Sequence, residues 1–588
     1  MLFSQSNVII VMYQGQCSLF QEENMKAKKK LIGILLVIVV VVLSLGVLTA
    51  CGETPGETSK NKKAVVICTA LLSGGLYDTK TNEAIWDPVA EGVYFQQVFP
   101  GGDMMGLVMA VLTDKTTYDL IGGIMKYKDE SVENLLWQIT LDEQGKSNNP
   151  NLRPANVRPT TADGTFKSTL YNDSGEVVDG YGAYTAGEKI QYGAIAAYRQ
   201  QCLDLKARYE KQGWDVVVFN YDWRIDNRVN SELLEQFIQT NGWEEVILTS
   251  HSMGGPVVAG YIARLQDKWL KAVANGQTDV KKPSQIIRSY RAFSPATAGS
   301  LDAIYYMDDP VGAIADVVNG TVGDTLGGVV LGVDAISEGI KKLAGPLAQN
   351  LTSVMQLLPF QTFADSEYYK EGESPVYVDG VPVTDMYEWY CSRPWAHTSD
   401  WKPGVDGIYD KLKPGMRDLP DYWNSFYVKE GVGSEEDVYA PELVNTTYCL
   451  GVGYNTKKSV QIVTKDTDTV KVNKVTYEMW DTKNHKYDTP LTSIEYYSYD
   501  HKAILFGDGD GTMPTNACLG GLNYKDNKTI SNTKGRAIYP LPEARQTTTI
   551  CYYNTNHGTV GGYWDVLKWD FYEMMDKIIV EDEINPFF

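Results

Sequence analysis

The segment from Val246 to Gly260, VILTSHSMGGPVVAG, constrains the fold more than any other part of the chain. It opens with an apolar, β-branched run of the kind found in the buried strands of parallel sheets. Ser252 follows between the small residues Ser250 and Gly254, and a helix is predicted over 256–274 with proline in its first turn. The segment therefore predicts a strand that turns sharply into a helix, with a serine at the turn.

Such a turn strains the backbone of its central residue, so the residues two before and two after it must be small. Ser252 meets this condition, with Ser250 where glycine is usual, whereas Ser250 itself would have Leu248 two residues before it. The free N–H groups and the dipole of the following helix would stabilise negative charge beside Ser252. We interpret Ser252 as a candidate nucleophile; the alternative is a serine in such a turn by chance.

Strands and helices alternate along much of the chain, and this alternation predicts an α/β fold with a mostly parallel central sheet and helices on both faces. The predicted strands cover 64–69, 214–220, 246–249, 286–293, 502–506 and 547–553, and the predicted helices 192–212, 231–240, 256–274 and 564–578. We divide the chain into an N-terminal extension with a signal peptide (1–51), a tether (52–63), a first part of the core (64–300, with an insertion at about 78–187), a cap (301–500) and a second part of the core (501–588).

The N-terminal region has the pattern of a lipoprotein signal peptide. From Met25, the suspected true start, a lysine-rich stretch precedes an apolar run over 31–48, and small residues precede Cys51. We predict that Cys51 becomes the acylated N-terminus, which anchors an extracytoplasmic protein to the bacterial membrane, with 52–63 as a flexible tether. The alternative is a membrane-spanning anchor, because the 18 residues of the apolar run can just cross a bilayer.

Composition excludes some classes of function. With 588 residues, 43% of them hydrophobic and 22% charged, the chain is an ordinary globular protein rather than a disordered one. Its net charge of −21 repels phosphate backbones, so we expect no nucleic-acid partner. No CxxC or HxxxH spacing indicates a metal site, and no cofactor is predicted. Outside the cytoplasm cysteines can pair, and a Cys518–Cys551 disulfide is one hypothesis.

A serine nucleophile needs a neutral histidine to take its proton, and that histidine needs a carboxylate to fix its tautomer. In α/β-hydrolases these residues occur in the order serine, acid, histidine, with the acid and the histidine on loops after late strands. Only His557 of the five histidines follows both Ser252 and a loop acid and lies just past a strand; the others are His251, His397, His485 and His501. His557 is therefore the candidate base, and a surface or core histidine is the alternative.

Two aspartates, Asp508 and Asp510, compete for the role of the acid in the loop GDGDGTMP. A calcium loop is excluded by spacing, since the sixth and twelfth positions from Asp508 are Met513 and Leu519. The loop ALLSGG after the first strand is where a second oxyanion donor would lie, and the N–H of Leu71 is our candidate beside that of Met253. The alternative for that loop is a plain glycine turn.

Taken together and in order, six motifs resemble the lecithin:cholesterol acyltransferase family, including its phospholipase relatives. The motifs are YDWR, SHSMGG, SPATAGS, LTSVMQLLP, GDGTMP and the final NHG, and the resemblance extends from Val65 to His557. The PGxxGS loop of the family is matched only loosely by residues 69–74. The resemblance implies that Asp510 rather than Asp508 is the acid.

The reaction that this resemblance implies is acyl transfer from a lipid or other ester to water or an alcohol. Two alternatives stay open. The chain can be an inactive binding lipoprotein of the same fold, or an amidase or peptidase that uses the same three residues.

Overall fold

A computed structural model describes residues 61–78, 83–86, 137–154, 196–310, 345, 348–452, 454–463, 471–481, 486–498, 500–520, 531–533, 536–540, 547–553, 557, 560 and 566–582. All of them belong to one structural unit, Gly56–Phe588. The predicted signal peptide, Cys51, most of the tether, most of the insertion and His485 lie outside the described residues. Within those residues, no helix combines the length and the apolar character that crossing a bilayer requires.

The strands of the described residues, in chain order, are β1 Lys63–Cys68, β2 Leu76–Asp78, β3 Glu83–Trp86, β4 Leu152–Pro154, β5 Trp214–Phe219, β6 Glu245–His251, β7 Ile287–Phe293, β8 Val376–Val378, β9 Val381–Pro382, β10 Tyr427–Lys429, β11 Asp437–Tyr439, β12 Thr446–Val452, β13 Tyr454–Val463, β14 Lys471–Asp481, β15 Lys486–Ser498, β16 Asp500–Gly509, β17 Ser531–Thr533, β18 Arg536–Pro540 and β19 Thr547–Tyr553. The α-helices are α1 Ala196–Tyr209, α2 Asn227–Thr240, α3 Gly254–Ala274, α4 Pro283–Ile286, α5 Leu301–Asp308, α6 Thr352–Met355, α7 Gln361–Ala364, α8 Met386–Cys391, α9 Pro414–Arg417, α10 Leu419–Asn424, α11 Thr515–Cys518 and α12 Val566–Ile579.

The central sheet has eight strands in the order β17-β18-β19-β12-β7-β6-β1-β5. The six strands from β19 to β5 are parallel to one another. Two antiparallel edge strands, β18 and β17, extend the sheet beyond β19. The predicted fold class, an α/β-hydrolase sheet that is mostly parallel, is confirmed.

Helices cover both faces of this sheet. Successive strand residues point to opposite sides, so apolar strands need a helix layer on each face. On β1, Val66 belongs to a core that includes buried residues of α2 and α3. Its neighbour Val65 belongs to a second core with buried residues of α1 and α12. The β6 strand, which leads to Ser252, is therefore buried on both sides and rigidly placed.

Two predictions about the late strands are wrong. Residues 502–506 lie in β16, which pairs antiparallel with β13 in a separate four-stranded sheet and does not rejoin the central sheet. The central strand between β7 and β19 is instead β12, Thr446–Val452, inside the range we assigned to the cap. Both segments are short and rich in β-branched or apolar residues, so their pattern predicts a strand but not the sheet that it joins.

The remaining described strands form small sheets outside the central one. Two strands of the predicted insertion, β3 and β4, flank β2 at its start in a three-stranded sheet. The prediction of antiparallel strands late in the cap is confirmed by the β13–β16 pair and the β14–β15 hairpin. Most of 311–349, the apolar start of the predicted cap, lies outside the described residues.

Candidate active site

Ser252 occupies the turn between β6 and α3, and its backbone is strained as the sequence predicts. Its φ angle is 52°, in the left-handed region that a residue with a Cβ atom adopts only at a cost. Three backbone hydrogen bonds hold it there: its N–H donates to the Phe293 carbonyl (3.1 Å), and its carbonyl accepts from Gly255 (2.9 Å) and Ala296 (2.9 Å). The turn thus presents the serine at the carboxyl end of a central strand.

Two glycines after the serine are required by close backbone packing. A Cβ atom on Gly254 would lie 2.7 Å from the carbonyl oxygen of Thr69, at the end of β1. A Cβ atom on Gly255 would lie 2.3 Å from Cβ of Pro295. Both distances are shorter than any real Cβ contact, so these glycines let α3 begin directly against the neighbouring strand ends.

His557 and Asp510, predicted from chain order, contact each other directly. Nδ1 of His557 lies 2.7 Å from Oδ2 of Asp510, and the His557 N–H donates to the Asp510 carbonyl at 3.0 Å. The other carboxylate oxygen accepts from the N–H groups of Thr512 (3.0 Å) and Met513 (2.7 Å). The backbone of the loop thus binds one oxygen of its own aspartate, and the other oxygen, Oδ2, contacts the histidine.

The pKa of Asp510 lies below its ordinary value although burial raises it. The charge of His557, the hydrogen bond from its ring, the N–H of Met513 and the hydroxyl of Ser294 outweigh the burial. Asp510 is therefore an anion at neutral pH and acts only as a hydrogen-bond acceptor. Its rival Asp508 lies in β16 opposite Asn455, and its side chain is outside the described part of the chain.

Ser294, which supports the acid, was missed by the sequence reasoning. It follows β7 with a φ of 34°, and its N–H donates to the carbonyl of Cys449 on β12 (2.9 Å). Burial raises the pKa of Asp510, and the Ser294 hydroxyl is one of the groups that lower it. The motif SPATAGS at a strand end was the available signal, but nothing in it indicates which loop the serine contacts.

His557, the candidate base, lies beside the turn of the candidate nucleophile. The rings of His557 and His251, the residue before Ser252, have centroids 4.7 Å apart, and Nε2 of His251 lies 3.1 Å from the carbonyl oxygen of His557. All three predicted residues therefore meet at one edge of the sheet. In the described part of the chain, the side-chain hydrogen bond of His557 goes to Asp510 and none goes to the Ser252 hydroxyl. Such catalytic contacts often tighten only when substrate binds.

The loop after β1, where we predicted the donor Leu71, is held by hydrogen bonds from side chains to its carbonyl oxygens. Leu72 has a φ of 62°, so the loop is strained at the position after Leu71. The Leu71 and Met253 N–H groups donate no backbone hydrogen bond within the described residues. Four side chains donate to the carbonyl groups of the loop: Tyr221 Oη to Thr69 (2.7 Å), Ser73 Oγ to Leu71 (3.2 Å), Trp86 Nε1 to Leu72 (2.9 Å) and Trp223 Nε1 to Gly74 (3.1 Å).

The YDWR motif provides two of these donors and fixes them with a buried ion pair. Arg224 donates to both carboxylate oxygens of Asp222, through Nε (2.8 Å) and Nη2 (2.7 Å). Both side chains are almost completely buried, and a bidentate pair of this kind has a single geometry. The motif therefore positions Tyr221 and Trp223 against the loop, a role that the sequence alone did not reveal.

The described residues contain no group of three or more histidine, cysteine, aspartate or glutamate side chains that can bind a metal ion. The six cysteines within the described ranges are buried and form no disulfide with one another, so the hypothesis of a Cys518–Cys551 disulfide is wrong for this structure. His397 lies in the cap, where its two ring nitrogens contact the carbonyl oxygens of Cys391 and Asp410. His501 is in β16, with its side chain outside the described part.

No protein-family model and no curated protein matches the chain. Among solved structures, it is similar to one described as "The crystal structure of Tle4-Tli4 complex", with 15% identity, coverage of 79% of this chain and 90% of that chain, and a TM-score of 0.36. A likeness this weak carries no argument about activity or substrate. The lecithin:cholesterol acyltransferase family is not supported by these comparisons, and the resemblance remains one of motifs.

Proposed function

We propose that the chain is a serine-dependent acyl hydrolase or O-acyltransferase that acts on lipid esters. The observation that carries the proposal is the His557–Asp510 hydrogen bond beside the turn that holds Ser252 at a φ of 52°. A strained serine and a carboxylate-bound imidazole at one edge of a parallel sheet are what nucleophilic acyl transfer requires.

In the proposed reaction, the Ser252 hydroxyl attacks the ester carbonyl while Nε2 of His557 takes its proton. Asp510 keeps the other ring proton on Nδ1 and stabilises the imidazolium that forms. The N–H groups of Leu71 and Met253 donate to the oxyanion of the tetrahedral intermediate. The intermediate collapses, the leaving alcohol takes the proton from His557, and a serine ester remains. Water or an acceptor alcohol then repeats these steps on that ester.

The test is a panel of phospholipid, triglyceride and short-chain ester substrates, assayed with wild type and Ser252→Ala. We expect turnover by wild type only, and a fluorophosphonate label on Ser252. Ser250→Ala is the matched control, because it removes a hydroxyl in the same segment that bonds to Tyr290 Oη (2.7 Å) instead of facing the turn. Equal turnover by wild type and Ser252→Ala would falsify the proposal.

Hydrolysis and acyl transfer use the same residues and differ in the acceptor that reaches the serine ester. Adding a long-chain alcohol to the assay separates them, since a transferase forms a new ester and a hydrolase releases free fatty acid. We propose lipid esters rather than other esters because of the motif resemblance. Preference for short-chain soluble esters over phospholipid and triglyceride would contradict that choice.

We also propose that the protein is an extracytoplasmic lipoprotein, anchored to the bacterial membrane through acylated Cys51. The proposal depends on the basic, apolar and small-residue order of 26–51. Mass spectrometry of the mature N-terminal peptide should find a lipid-modified cysteine. The Cys51→Ser variant should no longer be cleaved before residue 51. If its N-terminus were the same as that of the mature wild-type protein, the proposal would be contradicted.

A further inference from the structure

His251, the residue immediately before the proposed nucleophile, makes two hydrogen bonds with its ring. Nδ1 lies 2.5 Å from the hydroxyl oxygen of Tyr198 on α1, and Nε2 lies 3.1 Å from the carbonyl oxygen of His557. The side chain is 7% exposed, and that of Tyr198 is 2% exposed. Both residues are therefore largely shielded from water.

The direction of each hydrogen bond follows from the chemistry of the partners. A carbonyl oxygen only accepts, so Nε2 of His251 must carry a proton. Burial, followed by the charge of His557, lowers the pKa of His251 to about 3, so the ring is neutral and Nδ1 is an acceptor. The Tyr198 hydroxyl must then be the donor to Nδ1, and one tautomer satisfies both contacts.

The same tyrosine belongs to a buried cluster that also contains Ala70, one residue before the proposed oxyanion donor Leu71. The hydrogen bonds run from Tyr198 through His251 to the main chain of His557. They join helix α1 to the candidate base through the residue immediately before Ser252.

We propose that His251 is a positioning residue for the general base. It holds the main-chain carbonyl of His557, while Asp510 holds the ring, so that backbone and side chain of the base are fixed from different directions. The hydrogen bond from Tyr198 holds the His251 ring in turn. The inference deepens the proposed function and rests on it. The competing explanation is a satisfied core histidine that contributes only to stability.

The kinetic test compares His251→Leu, His251→Gln and Tyr198→Phe with wild type. Leucine removes both contacts, so we expect kcat to fall about 10- to 100-fold with KM within about threefold, because small displacements of a catalytic group cost this much. A glutamine amide can accept from Tyr198 and donate to His557, so His251→Gln should recover most of kcat. Tyr198→Phe should lower kcat less than His251→Leu does. In the double variant, Tyr198→Phe should lower kcat little beyond the effect of His251→Leu alone.

Tyr209→Phe is the matched control. It lies on the same helix α1 and loses a hydroxyl bond of 2.7 Å to Asp576, away from the site. We expect its kcat to match that of wild type. If His251→Leu lost stability to the same extent as Tyr209→Phe and kept the kcat of wild type, His251 would contribute only to the stability of the core.

Hydrogen exchange separates failure of this inference from failure of the proposed function. The His557 N–H is bonded to the Asp510 carbonyl, so its exchange rate reports how well its loop is held. The peptide that contains His557 should exchange faster in His251→Leu and Tyr198→Phe than in wild type or Tyr209→Phe, whether or not Ser252 takes a fluorophosphonate label. Unchanged exchange in both variants overturns the positioning role even if Ser252 is the nucleophile.

Discussion

Nδ1 of His557 and Oδ2 of Asp510 lie 2.7 Å apart, and the aspartate side chain is 1% exposed while that of the histidine is 17% exposed. Since Asp510 is an anion with a lowered pKa, it can only accept from this nitrogen. The contact therefore fixes the proton of a neutral His557 on Nδ1 and leaves Nε2 free to act as a base. The buried carboxylate sets the tautomer, and the His557 ring remains partly exposed.

Asp510→Asn should lower kcat by about three to four orders of magnitude with little change in KM. An asparagine amide can donate to Nδ1, which favours the tautomer with the proton on Nε2 and so removes the base. Steady-state kinetics on the best ester of the panel measures the loss. The rate of fluorophosphonate labelling of Ser252 should fall in parallel.

Asp508→Asn is the control for this variant, since it removes one negative charge two residues away, near the end of β16. We expect it to keep activity within about threefold of wild type. If Asp508→Asn and Asp510→Asn lost activity equally, the contact with His557 would not distinguish Asp510 from Asp508 as the catalytic acid.

Trp223→Phe should lower kcat by about tenfold or more while the fold is retained. The indole N–H holds the Gly74 carbonyl at 3.1 Å, and without it the loop after β1 is less firmly oriented, so the proposed Leu71 donor is misplaced. Trp243→Phe is a matched control, because its Nε1 donates to Asp215 (2.7 Å), which lies on β5 before the YDWR motif. Equal kcat for both variants would contradict a role for the loop.

The sequence predicted those parts of the site that depend on local pattern and chain order. The strained turn at Ser252 follows from small residues between a strand and a helix, and His557 follows from its place after the last parallel strand. Asp510 required the motif resemblance, because the residues alone did not separate it from Asp508. Backbone constraints of this kind act over a few residues, so a linear sequence can express them.

Contacts between distant segments could not be read in this way. The pattern gave no reason for β12 rather than residues 502–506 to enter the central sheet, because pairing depends on the neighbours of a strand. Tyr198 and Ser294 looked like ordinary helix and turn residues, yet Tyr198 bonds the His251 ring and the Ser294 N–H bonds the Cys449 carbonyl. Helix α2 begins at Asn227, four residues before the predicted start, because Asp226 caps it by accepting from Arg228 N (2.8 Å).

Gly254→Ala should lower the free energy of unfolding by about 1–3 kcal/mol, the usual cost of forcing an atom into a packed site. Its Cβ would meet the Thr69 carbonyl at 2.7 Å, which is backbone and cannot move aside cheaply. Gly431→Ala is the control, since its added Cβ would meet nothing within 4 Å and should leave stability unchanged or slightly raised. Urea unfolding measures both. Equal stabilities would show that α3 can shift away from β1.

His251 should make the protein sensitive to mild acid. Its pKa is about 3 in the folded protein and about 6.5 in the unfolded chain, so the unfolded state binds an extra proton between these values. The stabilising contribution is complete above pH ~6.5 and is lost as pH falls toward 3, with a slope on the order of 1 kcal/mol per pH unit. Protonation would also oppose the Tyr198 donor at Nδ1 and place charge beside His557.

His251→Gln should therefore have a free energy of unfolding that depends less steeply on pH between about 6 and 4 than that of wild type. Urea unfolding at several pH values measures both curves. In their difference, the contributions of the carboxylates that both proteins share, including Asp510, cancel. Tyr209→Phe, which removes the hydroxyl bond to Asp576 but does not alter a histidine, should give a curve parallel to wild type. Parallel curves for His251→Gln and wild type would mean that the folded protein accepts a proton on His251 near pH 6. The lowered pKa assigned to His251 would then be wrong.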